Sequence, residues 1–231
     1  MTGITEHLNG LKSRIFKASS ESGRAPESIS VLAVSKKHDI HAIAAATEAG
    51  LTDFGENYVA EAVEKITRFP EVSDKAVTWH FIGRIQSNKT KEIATHFDWV
   101  QTVDRVKIAR RLAAQRPAGL PPLQILIQVQ VDSESDHGGV TPEHLAELAE
   151  MIAGEPQLQL RGLMCIPMPS DSIDEQRKPF HLLKKLFDDL NGAGYSLDTL
   201  SMGMSNDLEA AIMEDSTMVR IGTALFGPRQ Y

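Results

Sequence analysis

Val31-Leu32-Ala33-Val34-Ser35-Lys36 and Arg220-Ile221-Gly222-Thr223-Ala224-Leu225-Phe226-Gly227 stand near the two ends of the chain, and their joint reading decides the fold. The first is a short apolar run closed by a lysine; the second is a strand-like run closed by a glycine-rich turn. An amine that terminates a buried strand is a candidate Schiff-base nucleophile. A Gly-Thr turn after the last strand is where the (β/α)8 barrel keeps its phosphate site. Together they point to a phosphorylated aldehyde, gripped by its phosphate on one side and joined to Lys36 on the other.

Between the two runs, strand-like and helix-like segments alternate. Candidate strands are residues 29–35, 52–56, 78–83, 99–103, 124–131, 158–166, 199–204 and 218–221. Amphipathic segments at 42–49, 59–68, 106–116, 142–153 and 175–190 separate them, and residues 5–20 read as an extra helix before the first strand. Thr141 is placed to cap one helix, with Pro142 in its first turn. Eight strands at this spacing predict an α/β fold, a (β/α)8 TIM barrel, rather than an open sheet. No Gly-x-Gly-x-x-Gly follows the first strand, which counts against a dinucleotide-binding sheet. No composition shift or linker divides the chain, so residues 1–231 read as a single domain.

Alternation sorts residues by face. Leu32, Val34 and Lys36 share one face of the first strand; Met218, Arg220 and Gly222 share one face of the last, opposite Val219 and Ile221. In 124–131, Ile125, Ile127, Val129 and Val131 should meet helices, while Leu126, Gln128 and Gln130 point inward. Lys36 and Arg220 can therefore both point into the barrel mouth, where barrel active sites sit.

Bulk properties narrow the partners. A net charge of -7 without a basic run argues against nucleic acid or an anionic membrane. No apolar stretch reaches the length of a membrane span. The single cysteine, Cys165, excludes an internal disulfide and fits a reducing cytoplasm. The mixed N-terminus is no signal peptide.

The phosphate site reads as two halves. Ser205, after Ser201-Met202-Gly203-Met204, precedes a helix expected to open at about Asn206, where free N–H groups favour an anion. Gly222-Thr223 lets backbone approach the same anion without a Cβ. Arg220, a guanidinium inside a barrel strand, must be paired or face a ligand. Asn57 and His80, at the ends of the second and third strands, are candidates to line a ligand ring or to make structural hydrogen bonds. Residues 132–136 lack the full EF-hand pattern and read as a solvated loop. The eight histidines show no metal-site spacing, Cys165 reads as inert, and Met202 and Met204 read as core.

Val34-Ser35-Lys36, Phe54-Gly55-Glu56-Asn57-Tyr58, Trp79-His80-Phe81-Ile82-Gly83 with Gln86-Ser87-Asn88-Lys89, Arg161-Gly162-Leu163-Met164, Leu200-Ser201-Met202-Gly203-Met204-Ser205 and Val219-Arg220-Ile221-Gly222-Thr223 resemble the YggS/PROSC family of pyridoxal phosphate homeostasis proteins. The resemblance runs in order along nearly the whole chain. It implies an alanine-racemase-like N-terminal barrel without the C-terminal β-domain, holding pyridoxal 5'-phosphate as an aldimine on Lys36. It also implies phosphate contacts around Ser205, Gly222 and Thr223, with Arg220 facing the pyridine nitrogen. Departures are Ile85 for a usual leucine and His137 where lysine is common.

The expected function is reversible cofactor binding, storage and delivery to apo-enzymes, by a cytoplasmic monomer without clear catalytic activity. The alternative is a pyridoxal-phosphate-dependent amino-acid racemase, which needs a second base on the opposite face of the substrate carbon. With the chain running only to Tyr231, the β-domain that carries that base in related racemases is expected to be missing. A third reading is a cofactor-free Schiff-base aldolase.

Overall fold

The computed structural model describes residues 2–132 and 137–227. The solvated-loop reading of 133–136 and the expectation drawn from the chain end lie outside the described residues. In chain order the elements are α1 Thr2–Glu21, β1 Ser30–Val34, α2 Ile40–Glu48, β2 Asp53–Glu56, α3 Val59–Arg68, β3 Thr78–Phe81, α4 Thr90–His96, β4 Trp99–Val103, α5 Val106–Gln115, β5 Leu123–Gln128, α6 Pro142–Ala153, β6 Leu158–Met164, α7 Ile173–Gly192, β7 Thr199–Ser201, α8 Leu208–Met213, β8 Met218–Ile221 and α9 Thr223–Phe226. The strands close a parallel barrel in sequence order, β8 pairing with β1 through Leu32 opposite Arg220. The expected (β/α)8 barrel is the observed fold.

Alternation separates two apolar layers. Ala33, Phe54, Trp79, Phe81, Ile125, Ile127, Leu163, Val219 and Ile221 join the main core between strands and helices. Burying each large side chain there contributes roughly 1.5–3 kcal/mol. Leu32, Ile82 and Met218, with Val34 against them, form a small plug inside the barrel. The inward faces expected for the first and last strands are the observed ones. Helix α1 lies outside the barrel and packs on α8 and α9.

Several boundaries differ from the sequence reading. Strand β7 ends at Ser201, because Gly203 takes φ +94° and turns the chain away from the sheet. A Cβ at Gly203 would stand 2.6 Å from that of Ala211, so only glycine fits. Strand β5 ends at Gln128; beyond it Val129 bridges Val140. Helix α8 starts at Leu208 rather than near Asn206. Thr141 occupies the cap position of α6, but its hydroxyl pairs with His144 Nδ1 at 3.0 Å instead of a backbone N–H. Among the described residues no helix is long and apolar enough to cross a membrane.

Candidate ligand site

A cavity of about 550 Å³ opens at the C-terminal ends of the strands. Its apolar walls are Val34, Ile82, Met164 and Ile166; its polar lining includes Lys36, His38, Asn57, Ser205, Asp207, Arg220, Gly222 and Thr223. Six of the seven residues singled out in the sequence thus share one cavity: Lys36, Asn57, Ser205, Arg220, Gly222 and Thr223. Met204, expected to be core, also lines it, because the Gly203 turn carries it out of the packed layer. Asn57 Oδ1 is buried without a hydrogen-bond partner. The Asn57 backbone is pinned against Gly83, where a Cβ would approach its carbonyl to 2.0 Å.

A cluster behind β1 orients Lys36. Ser35 N–H donates to Gly55 O at 3.0 Å and Ser35 Oγ donates to Glu56 Oε1 at 2.6 Å. Lys65 Nζ, from α3, donates to Ser35 O, Glu56 Oε1 and Glu61 Oε1 at 2.9, 2.8 and 2.6 Å. Burial pushes the Glu56 carboxyl above the ordinary range, against the pull of Lys65. Strand alternation turns Ser35 outward to this cluster, which leaves Lys36 turned inward. The next residue, Lys37, takes φ +64°, gives its backbone N–H to Glu61, and does not line the cavity. The His38 ring stacks on Phe226 of α9 at 4.7 Å, joining the lysine side of the cavity to the Gly222–Thr223 side. Sequence reading missed Lys65: the Glu61/Lys65 spacing on α3 is visible, but contact with Glu56 and Ser35 exists only once α3 folds over β1 and β2.

Beside Lys36, past the ends of the neighbouring strands β7 and β8, lie Ser205 and the Gly222–Thr223 turn. The helix expected to open near Asn206, directly after Ser205, instead opens at Leu208 as α8, with Asp207 at the cap position; Asp207 Oδ1 accepts from Met204 N–H. Burial pushes the Asp207 carboxyl upward, with that hydrogen bond and Arg220 opposing. The Ser205 carbonyl accepts from Arg14 Nη2 at 2.9 Å, and Arg14 also grips Glu209 at 2.7 and 2.8 Å. The extra N-terminal helix therefore braces the Ser205 loop, a role with no signature in the sequence around Arg14.

Arg220 forms the floor. Its Nη1 donates to Ser201 O and Ser201 Oγ at 2.6 and 2.9 Å, and its Nη2 donates to Cys165 O at 2.8 Å. Burial lowers its pKa, yet a guanidinium stays protonated in proteins. Cys165 itself is buried, and burial pushes its thiol up to about 12, which disfavours the reactive thiolate.

His80 departs from a ring-lining role. It is fully buried below the cavity, with Nε2 3.0 Å from Asp53 Oδ1, Nδ1 3.0 Å from Gln101 Nε2, and its ring stacked on Trp99 at 5.2 Å. Its side chain points inward, but one layer too deep. Burial lowers its pKa and outweighs the attraction of Asp53. The unfolded chain therefore takes up a proton near pH 6.5 that the folded chain refuses. Stability should fall as pH drops below about 6.5, with a slope of up to about 1.4 kcal/mol per pH unit from this residue. Urea midpoints measured from pH 7.5 to 5.5 should show that slope flattened in His80→Gln; an unchanged slope would refute a neutral His80.

The family profile of the alanine racemase N-terminal domain matches residues 11–230. The chain is 52% identical over 231 residues to the pyridoxal phosphate homeostasis protein of Pseudomonas aeruginosa, spanning 100% of this chain and 98% of that one. It is 48% identical over 231 residues to the protein of the same name from Escherichia coli K12, spanning 100% and 99%. Among solved structures, PipY of Synechococcus elongatus with PLP bound superposes with a TM-score of 0.84 at 33% identity, over 97% of this chain and 100% of that one. Alanine racemase of Clostridium difficile shares the fold, with a TM-score of 0.73 at 16% identity, over 97% of this chain and 56% of that one.

Proposed function

The chain belongs to the family of pyridoxal phosphate homeostasis proteins, built on the alanine racemase N-terminal domain, and from that premise we propose that it binds pyridoxal 5'-phosphate through Lys36 and hands it to apo-enzymes. The observation that carries this reading is one cavity shared by an inward lysine, a buried arginine and the Ser205 and Gly222–Thr223 segments. The residues fit the group. Lys36 answers its aldehyde, Ser205, Gly222 and Thr223 answer its phosphate, and the orphaned Asn57 Oδ1 is ready to accept a hydrogen bond from the ligand side. Residues 1–231 act as a single cofactor-binding domain and as a monomer.

When bound, the cofactor supplies an electrophilic aldehyde and an electron-withdrawing ring. Lys36, which lines the cavity, would hold the cofactor reversibly at its aldehyde and so keep that group masked from other amines. Arg220 has donors only, so it would hold the pyridine nitrogen as an acceptor and disfavour its protonation. An unprotonated ring held in this way would be a weak electron sink, which suits storage and exchange better than carbanion chemistry.

The test combines transfer and turnover. Loaded protein mixed with an apo-enzyme should restore that enzyme's activity, while L- or D-alanine supplied to the loaded protein should stay unracemised. Racemase turnover in the ordinary range of about 1–10³ s⁻¹, with no apo-enzyme activated, would replace the carrier reading by the racemase.

A further inference from the structure

We propose that a single-file hydrogen-bond chain, Arg220–Ser201–Gln101–His80–Asp53, runs through the barrel interior and positions Arg220 from the opposite end of the barrel. The inference rests on the reading of the cavity as the pyridoxal phosphate site. Each link is short: Arg220 Nη1 to Ser201 Oγ is 2.9 Å, Ser201 Oγ to Gln101 Oε1 2.7 Å, Gln101 Nε2 to His80 Nδ1 3.0 Å, and His80 Nε2 to Asp53 Oδ1 3.0 Å. The four residues from Arg220 to His80 are all buried, and only Asp53 reaches solvent.

The ends dictate the direction of every bond. A guanidinium can only donate and an ionised carboxylate can only accept. Ser201 must therefore accept from Arg220 and donate onward, Gln101 must present oxygen to Ser201 and nitrogen to His80, and His80 must be the neutral Nε2–H tautomer. The second N–H of Gln101 Nε2 points to Met218 Sδ at 3.2 Å, so the amide is used on both sides. Burial alone would raise the Asp53 carboxyl, but hydrogen bonds from His80 and Thr52 outweigh it and hold the group ionised. Aligned dipoles in such a chain polarise one another in the low-dielectric interior. The buried cation at the cavity floor thus has a remote counter-anion across the barrel, reached through neutral groups. His80, Gln101 and Asp53 are positioning residues; none of them lines the cavity.

The test uses nitrogen NMR on the full chain. In the unloaded wild type, His80 should show Nδ1 as the bare nitrogen and Nε2 as the protonated one. Separate Arg220 Nη signals should report a guanidinium held in one orientation. Adding pyridoxal phosphate should shift His80 Nδ1 although no atom of His80 lines the cavity. Gln101→Met keeps the volume but removes both links, so it should erase the His80 response and weaken pyridoxal phosphate binding on the order of 10-fold, the worth of one charge-assisted hydrogen bond. A His80 protonated at Nδ1, or a His80 response unchanged in Gln101→Met, overturns the chain. Failure of the wild type to take up pyridoxal phosphate sinks the functional reading instead, and the tautomer and Arg220 signals of the unloaded protein still decide the chain.

Discussion

Borohydride treatment of the pyridoxal-phosphate-loaded protein is expected to leave the phosphopyridoxyl group on the peptide containing Lys36, at Lys36 and not at Lys37. The two lysines are chemical equals in sequence and differ only in placement. Lys36 is half-buried and lines the cavity, whereas Lys37 is exposed, itself adopts the left-handed φ of +64°, and has its backbone N–H bound to Glu61. Lys36→Ala should abolish the covalent adduct and its visible absorbance. Lys36→Arg should do the same, since a guanidinium does not deprotonate. Lys37→Ala should leave the adduct intact. Peptide mass mapping after reduction reads the outcome; an adduct on Lys37, or a Lys36→Ala variant with full absorbance, would reassign the nucleophile.

Removing the phosphate should have the second largest effect. Hydrogen bonds to a charged group are worth about 1.5–3 kcal/mol each, so loss of two weakens binding by about 10²–10⁴-fold. Pyridoxal should therefore bind far more weakly than its phosphate ester in a titration followed by absorbance. Ser205→Ala should lose a smaller part, on the order of 10-fold, because Gly222 and Thr223 remain. Arg14, which fixes the Ser205 carbonyl, links this affinity to the position of α1. Equal affinity for pyridoxal and its phosphate would remove Ser205, Gly222 and Thr223 from the site.

Much of the site was legible because strand alternation is a rigid rule. Once Leu32 and Met218 are assigned inward, Lys36 and Arg220 follow, being four and two residues further along the same faces. Depth was not legible. His80 obeys the same alternation yet sits a layer below the cavity, since β3 pairs His80 with Trp99 at the start of β4. Strand stagger sets that height, and no single strand encodes it. Ser205 was placed in the cavity for a partly mistaken reason: the helix expected to open at about Asn206 opens at Leu208, with Asp207 between it and Ser205 at the cap position.

The sequence by itself determined the barrel, its inward and outward faces, the lysine that follows β1 and the glycine turn that follows β8, because periodicity and turn chemistry are local. Only the tertiary structure decided which polar groups meet. Lys65 reaches Ser35 and Glu56, Arg14 braces the Ser205 loop, and the Asp53 carboxylate is joined to Arg220 through His80, Gln101 and Ser201. The physical reason is that a buried donor or acceptor must find a partner wherever closure of the barrel brings one, and that partner stands at a sequence distance no local pattern reports.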